Sequence, residues 1–212
     1  MGDSLGLSAE EVLTTTRSVR KRLDLERPVA RETITECIDI AHQAPTGSNM
    51  QGWSWMLVDD PDKKKAIADH YREIFTEYTE TSSNLIMDAQ GERISESAHH
   101  LVEVLHQVPV HVIPLHRGRL EGAVSFRQAS AWGSILPAVW SFMLALRSKG
   151  LGSAWTTLHL PREKEVAEML GIDYNTWTQA GLFPVAYTIG TEFKKAKRKP
   201  VEDFIHWNEM SS

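Results

Sequence analysis

The chain has 212 residues, 42% of them hydrophobic and 24% charged, with a formal net charge of −5. That composition suits a globular domain with a sizeable core. The acidic balance offers no basic face for nucleic acid or an anionic membrane, so neither is expected as a partner. The single cysteine, Cys37, excludes an internal disulfide framework and fits a reducing compartment.

No apolar run in the sequence approaches the roughly 18–20 residues that cross a bilayer. The stretch from Met1 to Glu11 lacks the basic-then-apolar layout of a secretory signal, so a cytoplasmic location is expected. No internal repeat or low-complexity tract divides the chain, which reads as one domain over residues 1–212.

In chain order, Ser8-Ala9-Glu10-Glu11 has the form of a capping box opening a short helix that ends near Thr16. A second helix is predicted from Arg31 to Ala44, with Ile34, Cys37, Ile38 and Ala41 on its apolar face and Pro45 as its stop. Cys37 on that face reads as a small core residue rather than a nucleophile. Trp53 to Val58 is a strand, and Asp60-Pro61 then supplies an N-cap and a first helical residue. The helix that follows turns Ile67, Tyr71, Ile74, Phe75 and Tyr78 inward, and the polar stretch 79–92 reads as a flap.

A helix carrying Ile94, Ala98, Leu101, Val102 and Leu105 leads to a strand Val110 to Ile113, bounded by Pro109 and Pro114. The longest helix spans Phe126 to Ser148, and Pro137 should bend it. Trp132, Ile135, Leu136, Val139, Phe142, Met143 and Leu146 form one face, with a ladder of Ala131, Ser134, Ala138, Ser141, Ala145 and Ser148 opposite. Such a small-residue face admits a close helix, most simply a second copy of itself. Gly150-Leu151-Gly152 ends this helix, and Ser153 to Leu158 reads as a strand. A helix from Pro161 to Leu170, a strand from Phe183 to Gly190 and a basic C-terminal extension over 191–212 complete the chain. Helices and strands do not alternate regularly, which favours an α+β sandwich over a doubly wound sheet. The Gly-x-Gly lacks a third glycine and sits at a helix end, so it is not a dinucleotide fingerprint.

Three clusters carry chemistry. Arg17-Ser18-Val19-Arg20 sets two guanidinium groups and a hydroxyl within four residues, equipment for a phosphate and a second electron-rich group. Taken alone it is a weak signal, and solvated arginines at a helix end are the commoner reading. Ala44 to Trp53 places Pro45, Thr46, Ser48, Asn49 and Gln51 in one loop, where paired amide donors and acceptors suit a heterocycle edge. The third cluster joins Gly150 to His159 with the tail Lys194 to Pro200.

In this order and spacing the clusters resemble the nitroreductase family of flavoproteins. The family's Arg-Ser-x-Arg is similar to Arg17–Arg20, its Ala-Pro-Ser-x-x-Asn-x-Gln-x-Trp-like loop to Ala44–Trp53, its Gly-Leu-Gly strand entry to Gly150–Ser153, and its closing Arg-x-Pro to Arg198–Pro200. Two departures stand out: Thr16 where many members have arginine, and Gly52 where many have proline.

The resemblance implies an α-β-α sandwich that forms an intertwined homodimer, with FMN at the subunit interface. Carried over, Arg17, Ser18 and Arg198 would hold the FMN phosphate, and Arg20 would face the N1/O2 edge of the ring. Pro45, Thr46, Ser48, Asn49 and Gln51 would reach the ring and ribityl chain from the partner. The backbone at Thr157 and Leu158 would meet N5. Two-electron reduction places negative charge at N1/O2, which a fixed guanidinium stabilises. The flavin carries the hydride chemistry, so the resemblance implies no acid, base or metal residue. The implied reaction is ping-pong: NAD(P)H in, then a nitroaromatic, quinone or related small electron acceptor. Rival readings keep the flavin but change the task to dehalogenation, flavin fragmentation or non-catalytic flavin binding. A metal site from His99, His100, His106, His111 and His116 matches no common zinc spacing.

Overall fold

In a computed structural model that describes residues 4–81 and 89–210, a mixed sheet-and-helix domain is built around one antiparallel sheet. Helix α1 spans Ala9–Thr15, and its capping box forms: Glu11 N–H donates to Ser8 Oγ while the Glu11 carboxylate accepts from Ser8 N–H. Helix α2 spans Arg31–Ala41, three residues shorter than predicted, because the chain turns at His42 before reaching Pro45. Strand β1 is Trp53–Val58. Asp60 caps helix α3, Pro61–Thr81, by accepting from Lys63 N–H at 2.9 Å. Helix α4 is Ala89–Val104. Half of the predicted flap, residues 82–88, lies outside the described residues, and α3 and α4 supply its flanks.

Strand β2 runs Val110–Arg117, straight through Pro114, where the sequence suggested a stop. The missing N–H falls at a gap in the ladder. β2 pairs with β5 (Phe183–Tyr187) only up to Val112, and with β4 (Trp177–Gln179) only from Leu115. Pro114 lies between, its carbonyl accepting from Ala180 N–H at 2.8 Å. Helix α5 spans Ser125–Ser148, β3 is Leu151–Ser153, and α6 is Glu163–Leu170, closed by Gly171 at φ 70°. β3 is shorter than the predicted strand; Thr156 pairs with Leu182 as an isolated bridge.

The sheet order is β1-β2-β5-β3, with β4 extending from β2. Alternation along β2 divides its side chains between two cores. Ile113 and Leu115 join Ile67, Tyr71 and Phe75 of α3, Leu101 of α4 and Val166 of α6. Val110 and Val112 join Ile34, Cys37 and Ala41 of α2 and Ile135, Val139, Phe142 and Leu146 of α5. Helices therefore cover both faces, the expected sandwich. Burial pushes the Cys37 thiol up to about 12, consistent with an inert core residue.

Three expectations need correction. Tyr78 and Ile94 are exposed, because the distal parts of α3 and α4 extend beyond the sheet core. By length and composition α5 is apolar enough to cross a membrane, with a mean hydropathy of 1.4, although the sequence seemed to hold no such run. It is the central core helix of the second layer. Ala138 and Ala145 are already buried within the chain, Ala145 in the same core cluster as Cys37 and Ala41 of α2. The alanines of the small ladder therefore pack within the chain, while Ser134, Ser141 and Ser148 stay half-buried.

Candidate functional site

The segment after α1 is extended from Thr16 onward and runs beside β3. Ser18 bridges Ser153 in parallel, and Val19 N–H donates to Ser153 O at 2.8 Å. Val19 is buried in the core that α3 and α4 share, and the chain bends at Arg20. Arg17 and Val19 line a small cavity with Met143 and Arg147 of α5 and Phe193, with Arg17 Nε buried and unpaired. The cavity volume of about 10 Å³ holds no more than a water. Arg20 faces the α3–α4 layer, and its Nη1 donates to Ser97 Oγ at 3.5 Å. Ser18 is exposed, and Arg17 and Arg20 are half-buried, all within four residues of the Ser153 bridge.

Beyond β3, Thr156 exchanges backbone hydrogen bonds with Leu182, at 3.1 and 2.8 Å. Its hydroxyl meets the buried Tyr71 hydroxyl at 2.8 Å. Burial raises the Tyr71 phenol above its ordinary value, opposed by the Thr156 hydrogen bond and the Arg20 charge. Thr157 follows, exposed, and among the described residues neither its N–H nor that of Leu158 has an acceptor. Sequence reasoning gave Tyr71 only a core role. The available signal was a phenol at an inward helix position, where the O–H requires a partner.

The 44–53 loop lies at the other edge of the sheet, leading into β1. Ser48, Asn49 and Gln51 adopt φ of 52°, 53° and 48°, the left-handed region that non-glycine residues avoid. Short bonds hold this backbone: Gln51 N–H to Thr46 Oγ1 at 3.2 Å, Gln51 Nε2 to Asn49 Oδ1 at 3.1 Å, and Gly47 N–H to Ser134 Oγ of α5 at 3.0 Å. Pro45, Ser48, Asn49 and Gln51 are exposed, and Thr46 is half-buried. Beside the loop opens a groove of about 770 Å³, walled by Trp53, Phe126 and Trp177.

One chain does not bring these halves together. Between β1 and the Arg17–Arg20 segment lie β2, β5 and β3, so the two are four strand spacings apart, about 19 Å. Arg198 is exposed on the tail. Arg22 anchors the start of that tail, donating to the carbonyls of Ile189, Gly190 and Glu192 at 2.8, 2.7 and 3.0 Å, with its guanidinium 4.1 Å over the Phe193 ring. Among the described residues no group of three or more His, Cys, Asp or Glu side chains gathers in a metal-binding cluster.

Two helical layers on an antiparallel sheet, with polar loops presented at opposite sheet edges, define an α+β scaffold. The chain belongs to the nitroreductase family: the model of that family matches residues 13–187. The fold is also that of solved structures below 25% identity. A BluB-like flavoprotein from Clostridium difficile 630 superposes with a TM-score of 0.71 at 19% identity, covering 96% of this chain and 100% of its own. An oxidised iodotyrosine deiodinase bound to FMN and 3-iodo-L-tyrosine gives 0.71 at 21% identity, covering 95% and 99%. A mutant of the FMN- and NADPH-dependent nitroreductase NfnB from Sphigopyxis sp. strain HMH gives 0.70 at 19% identity, covering 96% and 100%.

Proposed function

We propose that this protein is an FMN-dependent NAD(P)H oxidoreductase acting on small electron acceptors such as nitroaromatics or quinones. It works as a homodimer, with each site assembled from both chains. The observation that carries this reading is the separation of the two polar clusters on opposite sheet edges. Each cluster is half of a site, and a two-fold partner supplies the other half. Family membership and the flavin named with several structural relatives support the cofactor.

The residues fit such a group. Ser18 and Arg20 bring a hydroxyl and a guanidinium within three residues, and Thr157 and Leu158 offer two uncommitted N–H donors. Arg17 would add charge beside Ser18, and Arg198 from the tail. From the partner, Pro45, Thr46, Ser48, Asn49 and Gln51 would close over the ring. FMN supplies hydride acceptance and donation. The chain's own task is to orient the ring, offset charge at its pyrimidine edge and exclude water.

The test is an absorbance spectrum of the purified protein, reconstitution with FMN, and anaerobic titration with NADH and NADPH. One FMN per chain, bleached by either nucleotide and reoxidised by menadione or a nitroaromatic, is expected. A chain that binds no added FMN would end the proposal. Arg20→Ala should also lower the two-electron potential by on the order of 30 mV for each 1.4 kcal/mol of lost contact.

A further inference from the structure

The groove beside the 44–53 loop shares Thr46 and Gln51 with the proposed flavin contacts, but it also carries a charge pattern that those contacts do not explain. Its lining includes Arg117, Arg127 and His116 and no carboxylate, in a chain where 28 acidic residues outnumber 23 lysines and arginines. Neither arginine has an ion-pair partner among the described residues, whereas Arg119 nearby is held by Glu121 and Glu163. Both stand on rigid elements: Arg117 ends β2, its N–H bonded to Gly52 O at 2.8 Å, and Arg127 lies in the first turn of α5.

That first turn is an unfavourable place for a cation. The positive end of the helix dipole favours acids there, yet α5 has none in its first turn, and its N-cap, Val124, offers no side-chain acceptor. Arg127 also comes close to Gly118, whose added Cβ would lie 3.6 Å from Arg127 Nη2. Burial, and after it the Arg127 charge, depresses the His116 pKa. Two unpaired guanidinium groups and an uncapped helix start therefore converge on a groove walled by three aromatic rings. Positive charge assembled this way without an internal counter-charge is matched by an external anion.

We infer that this groove recognises the electron acceptor, and that the acceptor is an aromatic acid: a flat ring between Trp53, Phe126 and Trp177 with a carboxylate or similar anionic group toward Arg117 and Arg127. The inference rests on the reductase reading for its chemistry but not for its binding. A groove of about 770 Å³ lies within the range of small-molecule sites.

The experiment compares 4-nitrobenzoate with 4-nitrobenzamide as acceptors for the FMN-loaded full chain. It also measures benzoate and benzamide as non-reducible ligands by tryptophan fluorescence. The acid should be preferred in kcat/KM and in affinity by about tenfold or more, and the preference should shrink with added salt. Arg117→Gln with Arg127→Gln should collapse the ratio to about threefold or less, and the two lysine substitutions should retain more of it. Equal use and equal binding of acid and amide would overturn the inference while leaving the reductase reading intact. A charge preference in binding without turnover of either compound would leave an anion-binding groove and overturn the acceptor assignment, while turnover of menadione would judge the reductase reading separately. If the double variant changed only the KM for NADPH or NADH and kept the acid preference, the anion would belong to the nucleotide and the acceptor assignment would fall.

Discussion

Tyr71 on α3 and Thr156 beyond β3 join their hydroxyls at 2.8 Å across 85 positions of sequence, and both are buried. Tyr71→Phe leaves the Thr156 hydroxyl buried without its partner, a cost of about 1–3 kcal/mol by chemical denaturation. Tyr71→Phe combined with Thr156→Val should recover part of the loss. A non-additivity near zero in the double-mutant cycle would show that the two hydroxyls are not coupled. Because Thr157 follows directly, Tyr71→Phe should also weaken FMN affinity.

The proposed sharing of sites across a dimer predicts complementation between defective chains. Arg20→Ala and Asn49→Ala damage different halves, so each mutant homodimer should bind flavin poorly. In a mixed dimer one site carries both substitutions and the other carries neither. Co-expressed chains with different affinity tags should therefore yield heterodimers with about half the wild-type flavin content and activity. Heterodimers as poor as both parents would show that each site lies within one chain.

Acid should destabilise the fold before the carboxylates titrate. His111 and His159 are fully buried, and burial depresses each pKa from 6.5 to about 4. The folded values lie below the unfolded one, so the unfolded chain binds more protons inside that window. Stability is complete above about pH 6.5 and falls as pH drops toward 4, by up to about 1.4 kcal/mol per pH unit for each histidine. Urea midpoints measured from pH 7 to pH 5 report the slope. His159→Gln should remove about one proton from it, and an unchanged slope would assign the loss to other groups.

Gly152 is required by close approach. A Cβ there would lie 2.7 Å from Thr188 Cγ2 and 3.0 Å from Val19 Cβ and Cγ2. Gly152→Ala should destabilise by about 1–3 kcal/mol, and Thr188→Ser, which removes one clashing methyl, should restore part of that. Val19 lies between Ser18 and Arg20, so flavin affinity should fall with stability. A variant as stable as the parent would show that β3 shifts freely.

Local signals in the sequence were reliable where the physics is local. The Ser8–Glu11 box and the Asp60-Pro61 start both formed, because capping involves only neighbours in the chain. Pro114 was misread as a strand end, because its tolerance depends on β5 stopping and β4 starting beside it, which no window around the proline reveals. The alanines of α5 were legible as a close-packing face but not as to their partner, since a helix of the same chain and one of another copy place the same demand on size. Of the candidate site, the motif residues were visible from the sequence. Tyr71 became visible only once α3 was set against Thr156.

The left-handed backbone at Ser48, Asn49 and Gln51 sets stability against activity within one loop. Glycine at these positions would relieve strain on the order of 1 kcal/mol each, partly offset by a more flexible unfolded chain. It would also delete the hydroxyl and amides through which the loop can address a ligand. Variants selected only for thermal resistance should therefore accept glycine at Ser48, Asn49 and Gln51, and variants selected for turnover should reject it. The opposed preferences of the two selections would mark this loop as a place where the chain keeps its chemistry at the expense of its own rigidity.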